Sequence, residues 1–102
     1  MKSGERTVHA FVVFPETRDK AAVVLVIHEN RGLTDWVRTV ADRLAEGGVI
    51  AIAPDLLSGA GPAGGRTKDF ASQDAAREAI GTLTPDQVTA DLHAVADYAL
   101  KI

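Results

Sequence analysis

Residues 22–54 read AVVLVIHENRGLTDWVRTVADRLAEGGVIAIAP, and this stretch decides the fold. Its first six residues, Ala22–Ile27, are apolar without alternation, which is the pattern of a strand covered on both faces and so predicted central in a sheet. The segment Glu29-Asn30-Arg31-Gly32-Leu33 then turns the chain. Thr34 or Asp35 is placed to cap a helix whose apolar positions, Trp36, Val37, Val40, Ala41, Leu44 and Ala45, fall on one face. Gly47-Gly48 supplies a left-handed stop, and Val49–Ala53 is a second buried strand, ended by Pro54. Strand, loop, helix and strand in that order make a βαβ unit with the two apolar strands parallel and the helix on one face. The fold class is α/β.

Working outward, Val8–Phe14 (VHAFVVF) is rich in β-branched and aromatic residues and reads as another strand, closed by Pro15. A polar turn over Glu16–Lys20 joins it to the βαβ unit. Downstream, Asp55–Lys68 is a long loop dense in Gly and Pro, expected to rim a site or to act as a mobile lid. Phe70–Ile80 shows a helical period through Phe70, Ala76, Ala79 and Ile80. Thr84-Pro85-Asp86-Gln87 is a helix start, with a Thr cap, Pro at the first helical position and Gln three residues after the cap. Val88, Leu92, Val95, Ala96 and Ala99 follow as one apolar stripe. No repeat or linker interrupts the chain, so residues 1–102 are expected to form one domain.

Composition narrows the function classes. The 102 residues carry 11 Lys+Arg against 14 Asp+Glu, a formal net charge of −3 without a basic stripe, which argues against nucleic acid or an anionic membrane as partner. With no Cys there is no disulfide, no thiolate metal site and no Cys nucleophile in these residues. No apolar run approaches 18 residues and Met1–Thr7 is polar, so a cytoplasmic location is the default expectation. One Trp, one Tyr and three Phe make for a thin core.

The chemistry-bearing residues are few. None of Ser3, Ser58 and Ser72 has Gly two residues before and two after, as a nucleophile elbow requires. His9, His28 and His93 lack carboxylates at metal spacing, so no metal site is expected, and His93 with Asp97 reads as a solvated helix face. Gly59-Ala60-Gly61-Pro62-Ala63-Gly64 is formally G-x-G-x-x-G, but Pro62 lies inside it and no amphipathic helix starts at its third Gly. A P-loop fails as well, because Gly65-Arg66-Thr67 stands where Lys and Ser/Thr should follow directly. More informative is Val26-Ile27-His28-Glu29-Asn30-Arg31-Gly32, where a parallel strand ends, the place at which ligands of open α/β sheets gather. Ordinary turn chemistry, with Glu29 and Arg31 solvated, accounts for the same residues equally well.

The string VLVIHENRGLTDWVRTVADRLAEGGVIAIAPDLLSG, Val24 to Gly59, resembles the dienelactone hydrolase family of the α/β-hydrolase fold, and the similarity runs from about Val8 to Ala99. Both the His-Glu-Asn-Arg-Gly turn and the Ala-Pro-Asp-Leu after the next strand stand at the family's spacing. The resemblance implies a three-layer partial sheet of about three strands and three helices. It also implies a carboxylic-ester or lactone hydrolase working with a Cys or Ser nucleophile, an Asp and a His, and no cofactor. By that likeness Glu29 matches the acidic residue beside the nucleophile, Asn30 the position whose backbone N–H supplies half the oxyanion hole, and Arg77 lies near where some members hold a substrate carboxylate. Relatives continue from a helix like Pro85–Leu100 into a strand, the elbow, and then the Asp and His, none of which is found in residues 1–102. The expectation is therefore an N-terminal half, truncated before the elbow, inactive alone and acting on a small ester or lactone only when complemented.

In the family the strand like Ala22–Ile27 also pairs with the one that carries the nucleophile, so one edge of it should be open here. A symmetric homodimer through that edge, or a complex with a complementary C-terminal half, is the expected assembly. Two other classes stay open: a non-catalytic interaction or structural unit derived from the same fold, and a phosphate-binding module using the Gly-rich loop.

Overall fold

A computed structural model describes residues 1–16 and 20–102, so part of the expected Glu16–Lys20 turn, residues 17–19, lies outside the described residues. Within them the chain forms β1 (Lys2–Ser3), β2 (Arg6–Thr7), β3 (Ala10–Val13), β4 (Val23–Leu25), α1 (Asp35–Glu46), β5 (Ile50–Pro54), α2 (Gln73–Ile80) and α3 (Pro85–Ala99). The main sheet has the order β3-β5-β4. β4 runs parallel to β5 and β3 antiparallel to it, in the register Val24 to Ala51 and Val12 to Ile52. The α/β class and the partial hydrolase-like sheet are as the sequence led us to expect.

Alternation along the strands sorts side chains into two cores. Ala51 and Ala53 of β5, with Phe11, Val13 and Val26, face α1 through Ala41, Val37 and Leu44. Ile50 and Ile52, with Ala10, Val12, Val23 and Leu25, face α3 and the N-terminal segment through Val95, Tyr98, Val8 and Met1. Small residues on both sides of the first contact let α1 lie close on the sheet, and Ala41, Ala51 and Ala53 are fully buried. Among the described residues no helix is long and apolar enough to cross a membrane.

Several expectations are corrected. β5, not the Ala22–Ile27 strand, is the middle strand of the described sheet; β4 is a half-buried edge with one side open, as the family resemblance implies for it, though not the central strand that its apolar run suggests. An apolar run records that a strand meets the core but not how many neighbours it pairs with. Trp36 is 70% exposed rather than on the core face of α1, because it sits at the first turn of that helix, beside a cleft. Gly47 keeps right-handed helical angles, and the positive φ falls one residue later, at Gly48 (+100°). Thr34 stands at the start of α1, yet its side chain accepts no hydrogen bond there. In α3 the buried residues are Asp91 and Val95, while Ala96 of the expected stripe is exposed. Met1–Thr7, read only as polar, forms the β1–β2 hairpin, whose two-residue turn takes a positive φ at Gly4 (+61°).

Candidate active site

The polypeptide leaves the sheet after Val26, whose N–H still bonds the Ile52 carbonyl at 2.8 Å. Two residues on, His28 is buried and both ring nitrogens are engaged. The Leu56 N–H points at Nε2 from 3.0 Å, and because an N–H can only donate, Nε2 is the acceptor and the ring proton sits on Nδ1. That proton is donated to the Glu29 carbonyl at 2.9 Å. The same carbonyl accepts the Gly32 N–H at 3.3 Å, which closes a four-residue turn over Glu29–Gly32. Gly32 takes φ +80°, and a Cβ there would stand 2.8 Å from Thr67 Cγ2 and 3.0 Å from Leu57 Cδ1. Only glycine suits both the angle and the space.

The loop after β5, expected to rim a site or act as a mobile lid, is fastened by hydrogen bonds, and its Leu56 borders a depression as a rim residue does. Asp55, 1% exposed, accepts from the Leu57 N–H (3.1 Å) and the Thr67 hydroxyl (2.6 Å) on Oδ1, and from the Thr67 N–H (3.1 Å) on Oδ2. Thr67 Oγ1 in turn accepts the Leu33 N–H at 3.0 Å, so one carboxylate ties the far end of this loop to the start of α1. The Ser58 hydroxyl donates to the Asp55 carbonyl (2.5 Å) and accepts the His9 N–H (2.9 Å). Arg6 donates from Nη2 to the Ser58 carbonyl and from Nη1 to both oxygens of Asp91 at 2.6 and 2.8 Å. Every buried side-chain N or O among the described residues has a partner.

The Gly-rich string is folded on itself. The N–H groups of Gly59 and Gly61 both donate to the Gly65 carbonyl, at 2.9 and 3.0 Å, and those of Gly64 and Gly65 close a single 3₁₀ turn at Pro62–Gly64. Amides already paired inside the loop leave little with which to cradle a phosphate.

Two depressions meet at the Glu29–Asn30 turn. The larger, about 810 Å³, is bordered by Arg31, Trp36, Gln73 and Arg77; the smaller, about 500 Å³, by Leu56, Ile80, Leu83, Pro85 and Val88. His28, Glu29 and Asn30 line both. The structure thus brings the three sequence-predicted site residues, Glu29, Asn30 and Arg77, to the margin of one cleft, with all three exposed. The Asn30 N–H donates to no other group among the described residues. A carboxylate, two guanidiniums and an unpartnered backbone donor around one cleft suit an anionic or polarisable acyl substrate. Among the described residues no cluster of three His, Asp or Glu is placed to hold a metal ion.

The model of the dienelactone hydrolase family matches residues 8–101. The chain belongs to that family. It is 43% identical over 60 residues to the Escherichia coli K12 protein described as "Putative hydrolase fragment YghX", covering 58% of this chain and 51% of that one. Over 94 residues it is 36% identical to proteins of Salmonella typhi and Salmonella typhimurium described as "Putative carboxymethylenebutenolidase", covering 90% of this chain and 33% of theirs. The chain therefore spans about half the length of the first of these curated relatives and a third of the other two.

Asp55, Ser58, Thr67, Arg6 and Asp91 hold this part of the dienelactone hydrolase-like fold together, yet sequence reasoning did not single them out for it. Asp55 follows the strand-ending Pro54 directly, and an Asp at that point, where a strand runs into a loop whose N–H groups need acceptors, was the available signal. Arg6 and Asp91 are 85 residues apart, and no local pattern links them.

Proposed function

We propose that this chain forms the oxyanion-side half of a hydrolase domain acting on a small carboxylic ester or lactone. The observation that carries the reading is the Asn30 N–H, unpartnered at the meeting of the two depressions, on a turn at the carboxyl end of a parallel strand in a dienelactone hydrolase family chain. In this reading Asn30 contributes one donor to the developing oxyanion, Glu29 stands beside the incoming nucleophile, and Arg77 attracts an anionic substrate across the cleft. The nucleophile, the Asp and the His come from a complementary segment seated along β4, because no Ser in residues 1–102 has an elbow's glycines and nucleophile and base must lie within hydrogen-bond reach. A second copy of the chain along the same edge is the competing assembly.

The test is reconstitution. The 102-residue chain alone should hydrolyse an activated aryl ester no faster than buffer, and mixing with the C-terminal segment of a full-length family member should restore saturable turnover. In the restored enzyme Glu29→Gln should lower kcat with little change in folding, since shape is retained and only charge is lost. Saturable turnover by the chain alone that disappears in Ser58→Ala or Ser72→Ala would overturn the proposal.

A further inference from the structure

We infer that His28 is the positioning residue for the Asn30 N–H, acting through the peptide group that Glu29 and Asn30 share. The inference rests on the proposed role of Asn30, and it deepens that reading by naming what aims the donor. The Glu29 carbonyl and the Asn30 N–H belong to one planar unit, and among the described residues no peptide bond is cis. In a trans peptide the C=O and N–H bonds are coplanar and point in opposite directions, so whatever holds the carbonyl also directs the N–H.

Two donors hold that carbonyl: His28 Nδ1–H at 2.9 Å and the Gly32 N–H at 3.3 Å. The shorter bond comes from a ring that is itself immobilised. His28 is 8% exposed, and its Nε2 accepts from Leu56, which sits in the segment that Asp55 and Ser58 fasten to β5 and the N-terminal strands. A rigid path thus runs from the pinned loop, through one imidazole, to the peptide at the cleft. Both bonds require the neutral ring with its proton on Nδ1. The opposite tautomer would set Nε2–H against the Leu56 N–H and leave Nδ1 facing a carbonyl with nothing to donate.

The two ring nitrogens can be replaced one at a time. Asparagine at position 28 places an amide N–H₂ near the Nδ1 position, where it can still donate to Glu29, and gives up the acceptor for Leu56. Glutamine reaches the Nε2 position, where its carbonyl can accept from Leu56, and gives up the clamp on Glu29. The experiment uses the 15N-labelled chain and reads no activity, so its failure is distinct from a failure of the hydrolase reading.

In the unaltered protein, two-bond 15N–1H correlation on the imidazole should show the Nδ1–H tautomer of His28. In His28→Asn the Asn30 amide should keep its chemical shift, while Leu56 exchanges its amide hydrogen about tenfold faster, one hydrogen bond's worth. In His28→Gln the pattern should invert, with the Asn30 amide displaced and Leu56 exchange near its original rate. An Nε2–H ring in the unaltered protein would overturn the inference without recourse to a variant. So would an Asn30 resonance that responds identically to both substitutions.

Discussion

Arg6 and Asp91 are paired but not equally sheltered, and that asymmetry makes a quantitative prediction. The Asp91 side chain is 1% exposed and that of Arg6 31% exposed. Replacing Arg6 by Met keeps much of the apolar stem but leaves the buried carboxylate without its guanidinium and the Ser58 carbonyl without Nη2. Stranding one partner of a buried pair costs about 3–5 kcal/mol. Asp91→Leu leaves a guanidinium that already touches water and still bonds Ser58, so the loss is that of a charge-assisted hydrogen bond, about 1.5–3 kcal/mol. In the double variant nothing charged is stranded, and it should be more stable than Arg6→Met alone, because apolar replacement of a whole buried pair is often close to neutral. Folded proteins have about 5–15 kcal/mol in all, so Arg6→Met removes a large fraction of any such stability. Urea unfolding at constant m, with m about 1.5 kcal/mol/M, turns the two single losses into midpoint shifts of about 2–3 M and 1–2 M. Asp91→Leu proving the more damaging single change, or a double variant whose loss equals the sum of the singles, would refute the reasoning.

Three further outcomes are expected. Gly32→Ala combines a left-handed backbone angle with a contact to Thr67 closer than a Cβ tolerates and a tight one to Leu57; it should lose at least about 1–3 kcal/mol, seen by circular dichroism as a Tm several degrees lower. Thr84→Ala removes the hydroxyl that accepts the Gln87 N–H at 3.1 Å and should lose about 1 kcal/mol, with faster amide exchange confined to the first turn of α3. If copies of the chain associate along β4, Ile27→Lys, at a site 54% exposed just past that strand, should lower the mass measured by sedimentation without changing the circular dichroism spectrum, and an unchanged mass would count against association at this edge.

What could be read from the sequence was whatever a few neighbouring residues decide together. The start of α3 is spelled out by Thr84, Pro85 and Gln87, and the Thr84 side chain makes the cap that the spacing requires. Although the cap at Thr34 and the stop at Gly47 were not as read, the existence of β5 and of the helix before it was legible from their hydrophobic pattern. The middle position in the sheet was not, because AVVLVI and VIAIA look alike as apolar runs and pairing order is a property of the whole topology. Two-residue strands such as β1 and β2 are too short to display a period, which left Gly4 as the one local hint of that hairpin. The fastening of the loop after β5 was not legible for a related reason. Gly and Pro content describes the turns a loop makes, whereas its rigidity comes from Asp55 meeting Thr67 12 residues away. At the candidate site, the turn and its position at a strand end were visible in the sequence. The use of both His28 nitrogens was not, since its partner Leu56 lies 28 residues further on.

Under the proposed function, the distribution of satisfied and unsatisfied backbone favours the Glu29–Asn30 turn over the Gly-rich loop as the place for the chemistry. On the β5 side, the N–H groups of Leu56, Leu57, Ser58, Gly59, Ala60 and Gly61 each have an acceptor inside the molecule. On the β4 side, the outer edge of Val23–Leu25 pairs with no other strand among the described residues, and five residues beyond Leu25 along the same chain the Asn30 N–H is also without a partner. The N–H groups of residues 27–31, Asn30 among them, donate to no group among the described residues, so the open edge of β4 leads into a run of free donors at the turn. Under the proposed function, a strand added in parallel to β4 would end beside the turn, because parallel strands share their carboxyl ends. The residue after its last pair would then approach the Asn30 N–H and the Glu29 carboxylate. A donor fixed in advance at that point needs no rearrangement when charge develops on a bound acyl oxygen, the condition under which a backbone N–H contributes most to catalysis.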